Sequence, residues 1–208
     1  MAARVERVVT SGTFSIDGED HQVENNIWLY GDDHEVVVID AAHDHAPIAA
    51  AVAGRKAVAI ICTHGHNDHI NAAVELGRAT GAQVWFPPQD RMLWDAEHDS
   101  PPDQELHSGA TFEVAGTTLR AISTPGHSPG STCLYAPELG AVFSGDTLFN
   151  GGPGATGRSY SDFPTIIESI RERLLTLPEE TIVHTGHGDD TSIGAEKPHL
   201  DEWIAAGA

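Results

Sequence analysis

Basic residues are scarce in this chain: 11 lysines and arginines stand against 31 aspartates and glutamates, a formal net charge of −20. A surface of that sign repels phosphate backbones and argues against a nucleic-acid partner. Cysteine is scarcer still, with only Cys62 and Cys133. Both sit in apolar runs outside any C-x-x-C pair and read as small buried hydrophobes, with no disulfide needed between them. No apolar stretch approaches the roughly 20 residues of a membrane-spanning helix. The opening residues, Met1-Ala2-Ala3-Arg4-Val5-Glu6, lack the apolar core of a secretory signal. The cytoplasm is therefore the expected compartment, with no membrane partner. At 40% hydrophobic residues over 208 positions, the chain has the apolar content for a single domain spanning residues 1–208.

Histidine, by contrast, is abundant, and its placement is informative. His64-Gly65-His66-Asn67-Asp68-His69 puts four metal-capable side chains into six positions. Two histidines at i and i+2 can turn toward one ion from a tight loop. The Asp-His pair that follows can reach a second. Neutral imidazole and carboxylate suit zinc and other first-row divalent metals. Residues 57–62 before the motif form a short apolar run with β-branched members, read as a buried strand. Residues 70–80 after it read as a helix stopped by Gly81. Strand, ligand loop, helix is where α/β folds place their chemistry.

Further strands are expected over residues 8–16 (turning at Asp17-Gly18), 26–30, 35–40, 83–86, 111–115, 119–123, 131–136, 141–144 and 181–185. Helices are expected over 46–53, 163–177 and 197–206, the second with Ile166, Ile167, Ile170, Leu174 and Leu177 at helical spacing. Two β-rich halves, each ending in helix–strand–helix material, fit two sheets packed face to face with helices outside. Three more strand ends carry a metal-capable residue: His127 in a Pro/Gly turn, Asp146 in Gly145-Asp146-Thr147, and His187 between two glycines.

This order of motifs resembles the metallo-β-lactamase-fold hydrolases over residues 26–199. Thr63 to His69 match the T-H-x-H-x-D-H signature, and a later His, Asp and His follow in the family's sequence. The stretches Phe143-Ser144-Gly145-Asp146-Thr147-Leu148-Phe149 and Thr185-Gly186-His187-Gly188 are similar to those of short glyoxalase II-like thioester hydrolases. The resemblance implies an α/β fold, a four-layer αββα sandwich of two mixed sheets. It implies that His64, His66 and His127 hold one ion, that Asp68, His69 and His187 hold a second, and that Asp146 bridges them. Zinc is the expected metal, with iron or manganese as alternatives. Arg158 and Tyr160, just beyond the glycine-rich loop 152–157, are implied contacts for a thiol carrier. Only about twenty residues follow His187, so the helical extension that binds glutathione in full-length glyoxalase II is not expected. A different small thiol, mycothiol for example, would fit that difference.

The function expected is two-metal hydrolysis of a small thioester by a bridging hydroxide. Asp68 would accept the proton. Asp40, ending a buried strand, would hold the outer ring nitrogen of a ligand histidine; Thr63, Thr147 and Thr185 are weaker candidates. The alternatives are hydrolysis of a lactone or other ester, and a mononuclear iron dioxygenase acting on persulfides. His43 and His45 read as solvated loop residues, His184 as a hydrogen-bonded core residue, and Trp85, Met92 and Trp94 as core or pocket wall. Gly152-Pro153-Gly154-Ala155-Thr156-Gly157 formally matches G-x-G-x-x-G but opens no helix, and reads as a flexible loop bordering the substrate.

Overall fold

A long hairpin opens the chain. In the computed structural model, which describes residues 2–207, β1 (Arg4–Ile16) turns back into β2 (Glu19–Gly31). Met1, part of the opening stretch read above, and Ala208 lie outside the described residues. Asp17 and Gly18 both have positive φ, 52° and 80°, the geometry that a two-residue hairpin turn requires and an Asp-Gly pair supplies.

The chain then alternates. β3 (Glu35–Ile39), α1 (His45–Val52), β4 (Lys56–Ile61), α2 (Asn67–Ile70), α3 (Ala73–Thr80) and β5 (Val84–Phe86) follow in order. A 3-10 turn at Pro88–Asp90 leads into α4 (Arg91–Glu97) and β6 (Gln104–Glu105). These strands form one sheet in the order β1-β2-β3-β4-β5-β6. The second half supplies β7 (Thr111–Val114), β8 (Thr117–Ser123), β9 (Thr132–Ala136) and β10 (Ala141–Gly145). A small ribbon of β11 (Leu148–Phe149) and β12 (Gly152–Pro153) precedes α5 (Phe163–Ser169), which widens into a π turn at Ile170–Leu174. β13 (Ile182–Thr185), β14 (Thr191–Ser192), α6 (Ile193–Glu196) and α7 (Leu200–Ala206) complete the chain. The second sheet runs β14-β13-β10-β9-β8-β7.

Side-chain alternation sorts the layers. In β3, Val36 and Val38 face one core with Ile48, Leu76 and Trp94 from the helices, while Val37 and Ile39 face the other sheet. A strand buried on both faces reads as a continuous apolar run, as β3 does. The inter-sheet core joins Trp28, Tyr30 and Ile61 to Leu119, Leu134 and Phe143. A third core packs Val142 and Val183 against Ile166, Ile170 and Trp203. The result is the αββα sandwich expected.

The helix expected over 70–80 is broken in two: the side chain of Asn71 accepts from the backbone N–H of His43 at 2.6 Å, and α3 begins only at Ala73. Gly81 caps it in the left-handed region. Helix α4 lies where the sequence pattern predicts no element. Trp94 within it is buried, whereas Met92 is exposed and belongs to no core. Among the described residues, no helix is long and apolar enough to cross a membrane.

Candidate metal centre

Strand direction brings the histidines together. β3, β4 and β5 run parallel, so their carboxyl ends share one edge. Asp40 follows β3, the His64–His69 loop follows β4, and Asp90 follows β5. In the second sheet β10 and β13 are parallel, and two antiparallel steps through β9 return β8 to the same direction. His127, Asp146 and His187 therefore leave a common edge. Backbone bonds join the two edges: Asn26 N–H to the Gly186 carbonyl at 2.8 Å, and Thr132 N–H to the Thr63 carbonyl at 2.9 Å.

Seven side chains converge there. His66 Nδ1 lies 3.1 Å from His64 Nε2 and 3.0 Å from His127 Nε2. His187 Nε2 lies 3.2 Å from His69 Nε2 and 3.3 Å from Asp68 Oδ2. Asp146 stands between the groups, with Oδ1 3.3 Å from His69 Nε2 and Oδ2 3.6 Å from His127 Nε2 and 3.4 Å from His187 Nε2. All the ligand candidates read from the sequence meet in this constellation.

The outer ring nitrogens fix which atoms point inward. His127 Nδ1–H donates to the Ala155 carbonyl at 2.9 Å, and His187 Nδ1–H to the Glu24 carbonyl at 2.7 Å. A carbonyl only accepts, so Nε2 of each neutral ring carries the lone pair. His69 Nδ1–H donates to Asp40 Oδ2 at 2.9 Å. The Thr63 hydroxyl also donates to Asp40 Oδ2, at 2.8 Å, and so accepts from His64 Nδ1–H at 3.0 Å. Asp40, with its φ of 58°, thus orients two of the rings, one directly and one through Thr63. Such outer bonds fix ring orientation and raise ligand basicity.

Lone pairs aimed at one another across about 3 Å repel unless a positive charge lies between them. Asp68 Oδ1 and Asp146 Oδ1 are buried without a hydrogen-bond partner, which costs stability unless something else satisfies them. The donor set fits a pair of divalent cations on both counts. Burial pushes His64 well below the usual imidazole range and His66 down to about 3, which leaves both neutral, the form that ligates. Burial pulls His187 down as well, but Asp146 and Asp68 outweigh it and raise it to about 10. His69 is likewise raised, against its burial, by Asp146, Asp68 and Asp40. Those protons offset the carboxylates, and a cation would displace them.

Residues 22–187 match the Metallo-beta-lactamase superfamily. The chain belongs to that superfamily. It is 33% identical over 152 residues to the hydroxyacylglutathione hydrolase GloC of Haemophilus influenzae, covering 66% of this chain and 72% of that one. Among solved structures it resembles TTHA1623 in a di-iron-bound form, with 31% identity, a TM-score of 0.74, and coverage of 88% and 96%. It also resembles ETHE1 from Myxococcus xanthus, with 25% identity, a TM-score of 0.74, and coverage of 95% and 89%.

Within this superfamily member, three residues at the site carry no motif. Asp90, fully buried, accepts from Gly65 N–H at 2.8 Å, Gly130 N–H at 2.6 Å and the Ser128 hydroxyl at 2.6 Å. It ties the His64–His66 loop to the His127 loop. Asn25 donates Nδ2–H to the Asp68 carbonyl at 2.7 Å and lies 3.1 Å from Asp68 Oδ2. His43, expected to be a solvated loop residue, is instead half-buried and donates Nε2–H to Asn25 Oδ1 at 2.8 Å. That bond orients the Asn25 amide toward Asp68. His184 is the hydrogen-bonded core residue expected, 2.9 Å from Asp190 and stacked on Phe143. Of the weaker threonine candidates, Thr147 meets Thr124 and Thr185 bonds the His187 carbonyl, and neither bonds a ligand ring. Arg158 and Tyr160 are exposed beside the constellation, with Arg158 Nη1 3.3 Å from His21 Nε2.

Gly186 has no room for a side chain. A Cβ there would overlap Asp146 Oδ1 and come within 2.8 Å of His69 Cε1. Gly186→Ala is expected to displace Asp146 and weaken metal affinity by about 10–100-fold, the effect of disturbing a ligand's orientation. Metal titration checks it; an unchanged affinity would show that Asp146 is not placed by this contact.

Proposed function

We propose that the chain is a two-metal hydrolase that cleaves a small thioester. The observation that carries the reading is the pair of side-chain groups, His64/His66/His127 and Asp68/His69/His187, sharing Asp146. Two divalent cations held there would supply an activated water and polarise the carbonyl oxygen of the substrate. Zinc is the proposed metal; the likeness to a di-iron-bound structure supports iron as the alternative. The likeness to a hydroxyacylglutathione hydrolase supports a thioester as the substrate class.

The chain's own residues do the rest. Burial raises the Asp68 carboxyl, but His69 and His187 outweigh it and hold it below the usual carboxylate range. Its Oδ2 faces His187 while Oδ1 has no hydrogen-bond partner. Asp68 accepts the proton released as water adds to the carbonyl carbon. The C–S bond then breaks, and the thiolate leaves with the carrier. Asn25 and His43 hold the Asp68 carboxylate against rotation. Arg158 and Tyr160, exposed at the rim, contact the carrier.

A second reading, one iron and dioxygen acting on a persulfide, is supported by the likeness to ETHE1. The shared Asp146 favours two ions over one. The test is metal counting alongside a panel of thioesters, lactones, β-lactams and persulfides. About two equivalents of metal with thioester turnover are expected. One iron with oxygen uptake on persulfide would overturn the reading; turnover of lactones or β-lactams alone would retain the metal pair and discard the thioester.

A further inference from the structure

The β1–β2 hairpin reaches past the sheet and covers one flank of the metal centre. Its two faces differ. Ser11, Thr13 and Ser15 alternate with Gly12, Phe14 and Ile16 along β1, and the register places Val23 opposite Gly12 and His21 opposite Phe14. Residues directly opposite share a face, so Phe14, Ile16, His21 and Val23 line one side. That side looks onto the ligands: the Phe14 and His66 rings lie 5.2 Å apart at 55°. The hairpin is fixed in this position by Asn67 from the ligand loop. Asn67 Oδ1 accepts from Ser15 N–H at 2.9 Å, and Nδ2–H donates to the Thr13 carbonyl at 2.9 Å.

Between hairpin and ligands is a cavity of about 220 Å³ lined by Phe14, Ile16, Val23 and Ala155, with Ser159 and Ser161 beside them and His66 and His127 on the side of the metal centre. Arg158 and His21 stand at its mouth. Pockets that enclose a whole drug-sized ligand run about 300–1,000 Å³. This one takes only one end of a substrate. At about 30 Å³ per water-sized group it holds about seven non-hydrogen atoms. A largely apolar wall in so acidic a chain, with two ligand histidines on one side, suits the end of the molecule that carries the reacting carbonyl.

We propose that this cavity is an acyl pocket for a short apolar acyl group, butanoyl to hexanoyl in length, with its carbonyl toward His66 and His127. The proposal rests on the thioesterase reading for its name, and its test separates the two. Acetate, butanoate, hexanoate and decanoate are titrated into the metal-loaded protein by calorimetry. The same acyl groups are offered as N-acetylcysteamine thioesters.

Affinity for the acids is expected to rise about fourfold for each added methylene, as burial of a CH₂ dictates, and to level off before decanoate. Val23→Phe, at a half-exposed strand position, is expected to erase the gain of hexanoate over acetate. A flat acid series, or a series unaltered by Val23→Phe, would overturn the pocket assignment. Graded acid affinity without any thioester turnover would keep the pocket and remove the thioesterase reading. Thioester turnover with a flat acid series would do the reverse.

Discussion

Asp146→Ala is expected to reduce bound metal from about two equivalents to one or fewer and to lower turnover by about three orders of magnitude or more. Asp146 is the carboxylate that faces both groups, 3.3 Å from His69, 3.4 Å from His187 and 3.6 Å from His127. Without it the second group keeps Asp68, His69 and His187, while the first keeps three neutral imidazoles and no negative charge. Three imidazoles can hold one cation by themselves, but two cations a few ångströms apart repel once the carboxylate between them is gone. Loss of the shared water's activation and of the fixed nucleophile position removes several kcal/mol of barrier lowering, and each 1.36 kcal/mol is about tenfold in rate. Asp146→Asn separates charge from shape. It keeps the volume and one acceptor oxygen, so retained metal with lost turnover would assign the carboxylate's charge to the reaction itself. Full metal content and full turnover in Asp146→Ala would end the two-cation reading. Metal analysis and steady-state kinetics on the same samples check it.

The side chains that converge at this site were singled out in the sequence, the His64–His69 cluster by its spacing and His127, Asp146 and His187 by their place at strand ends together with the family resemblance. His64 to His69 form a local motif, and His127, Asp146 and His187 each sit in a Gly- or Pro-bounded turn at a strand end. Asp40 was legible as the acid that closes a buried strand. Asp90, Asn25 and His43 were not, because each acts through one long-range bond or a few, to residues 18 to 43 positions away. No periodicity marks such a residue. In the fold, the apolar runs of β3, β4 and β10 read directly as strands. The two-residue strands β6 and β14 carry too few side chains to show a pattern. Helix α4 was hidden by Pro87-Pro88, which reads as a stop, although a proline in the first turn of a helix is tolerated. The strand over residues 8–16 and its Asp17-Gly18 turn read directly, but the returning strand begins at Glu19 rather than at residue 26, and what the hairpin faces depends on Asn67 and could not be read from β1 alone.

Asp90→Ala is the second large effect expected. The carboxylate is fully buried and takes three hydrogen bonds, two of them from backbone N–H groups of Gly65 and Gly130. Burial pushes its carboxyl up, and the bonds from Ser128, Gly130 and Gly65 only partly counter that. Alanine would leave both N–H groups buried and unpaired, at about 1–3 kcal/mol each. The expected loss is about 3 kcal/mol, or about 6–12 °C in Tm for a chain of this size. Asparagine is a poor rescue, since its NH₂ would confront a donor where a carboxylate oxygen now accepts. The structural loss has a directional consequence for metal binding. Gly65 lies between His64 and His66, and Ser128 follows His127, so Asp90 bonds directly beside all three side chains of one group, whereas Asp68 and His69 lie further along the same segment, in α2, and His187 follows β13. Affinity for the first metal is expected to fall about 10–100-fold while the second is held nearly unchanged. Stepwise metal titration, read together with thermal melts of the metal-free protein, distinguishes a positioning residue from mere support of the fold. A lowered Tm with both affinities intact would assign Asp90 to the fold alone, whereas unequal loss at the two sites would place it in the geometry of the His64/His66/His127 group.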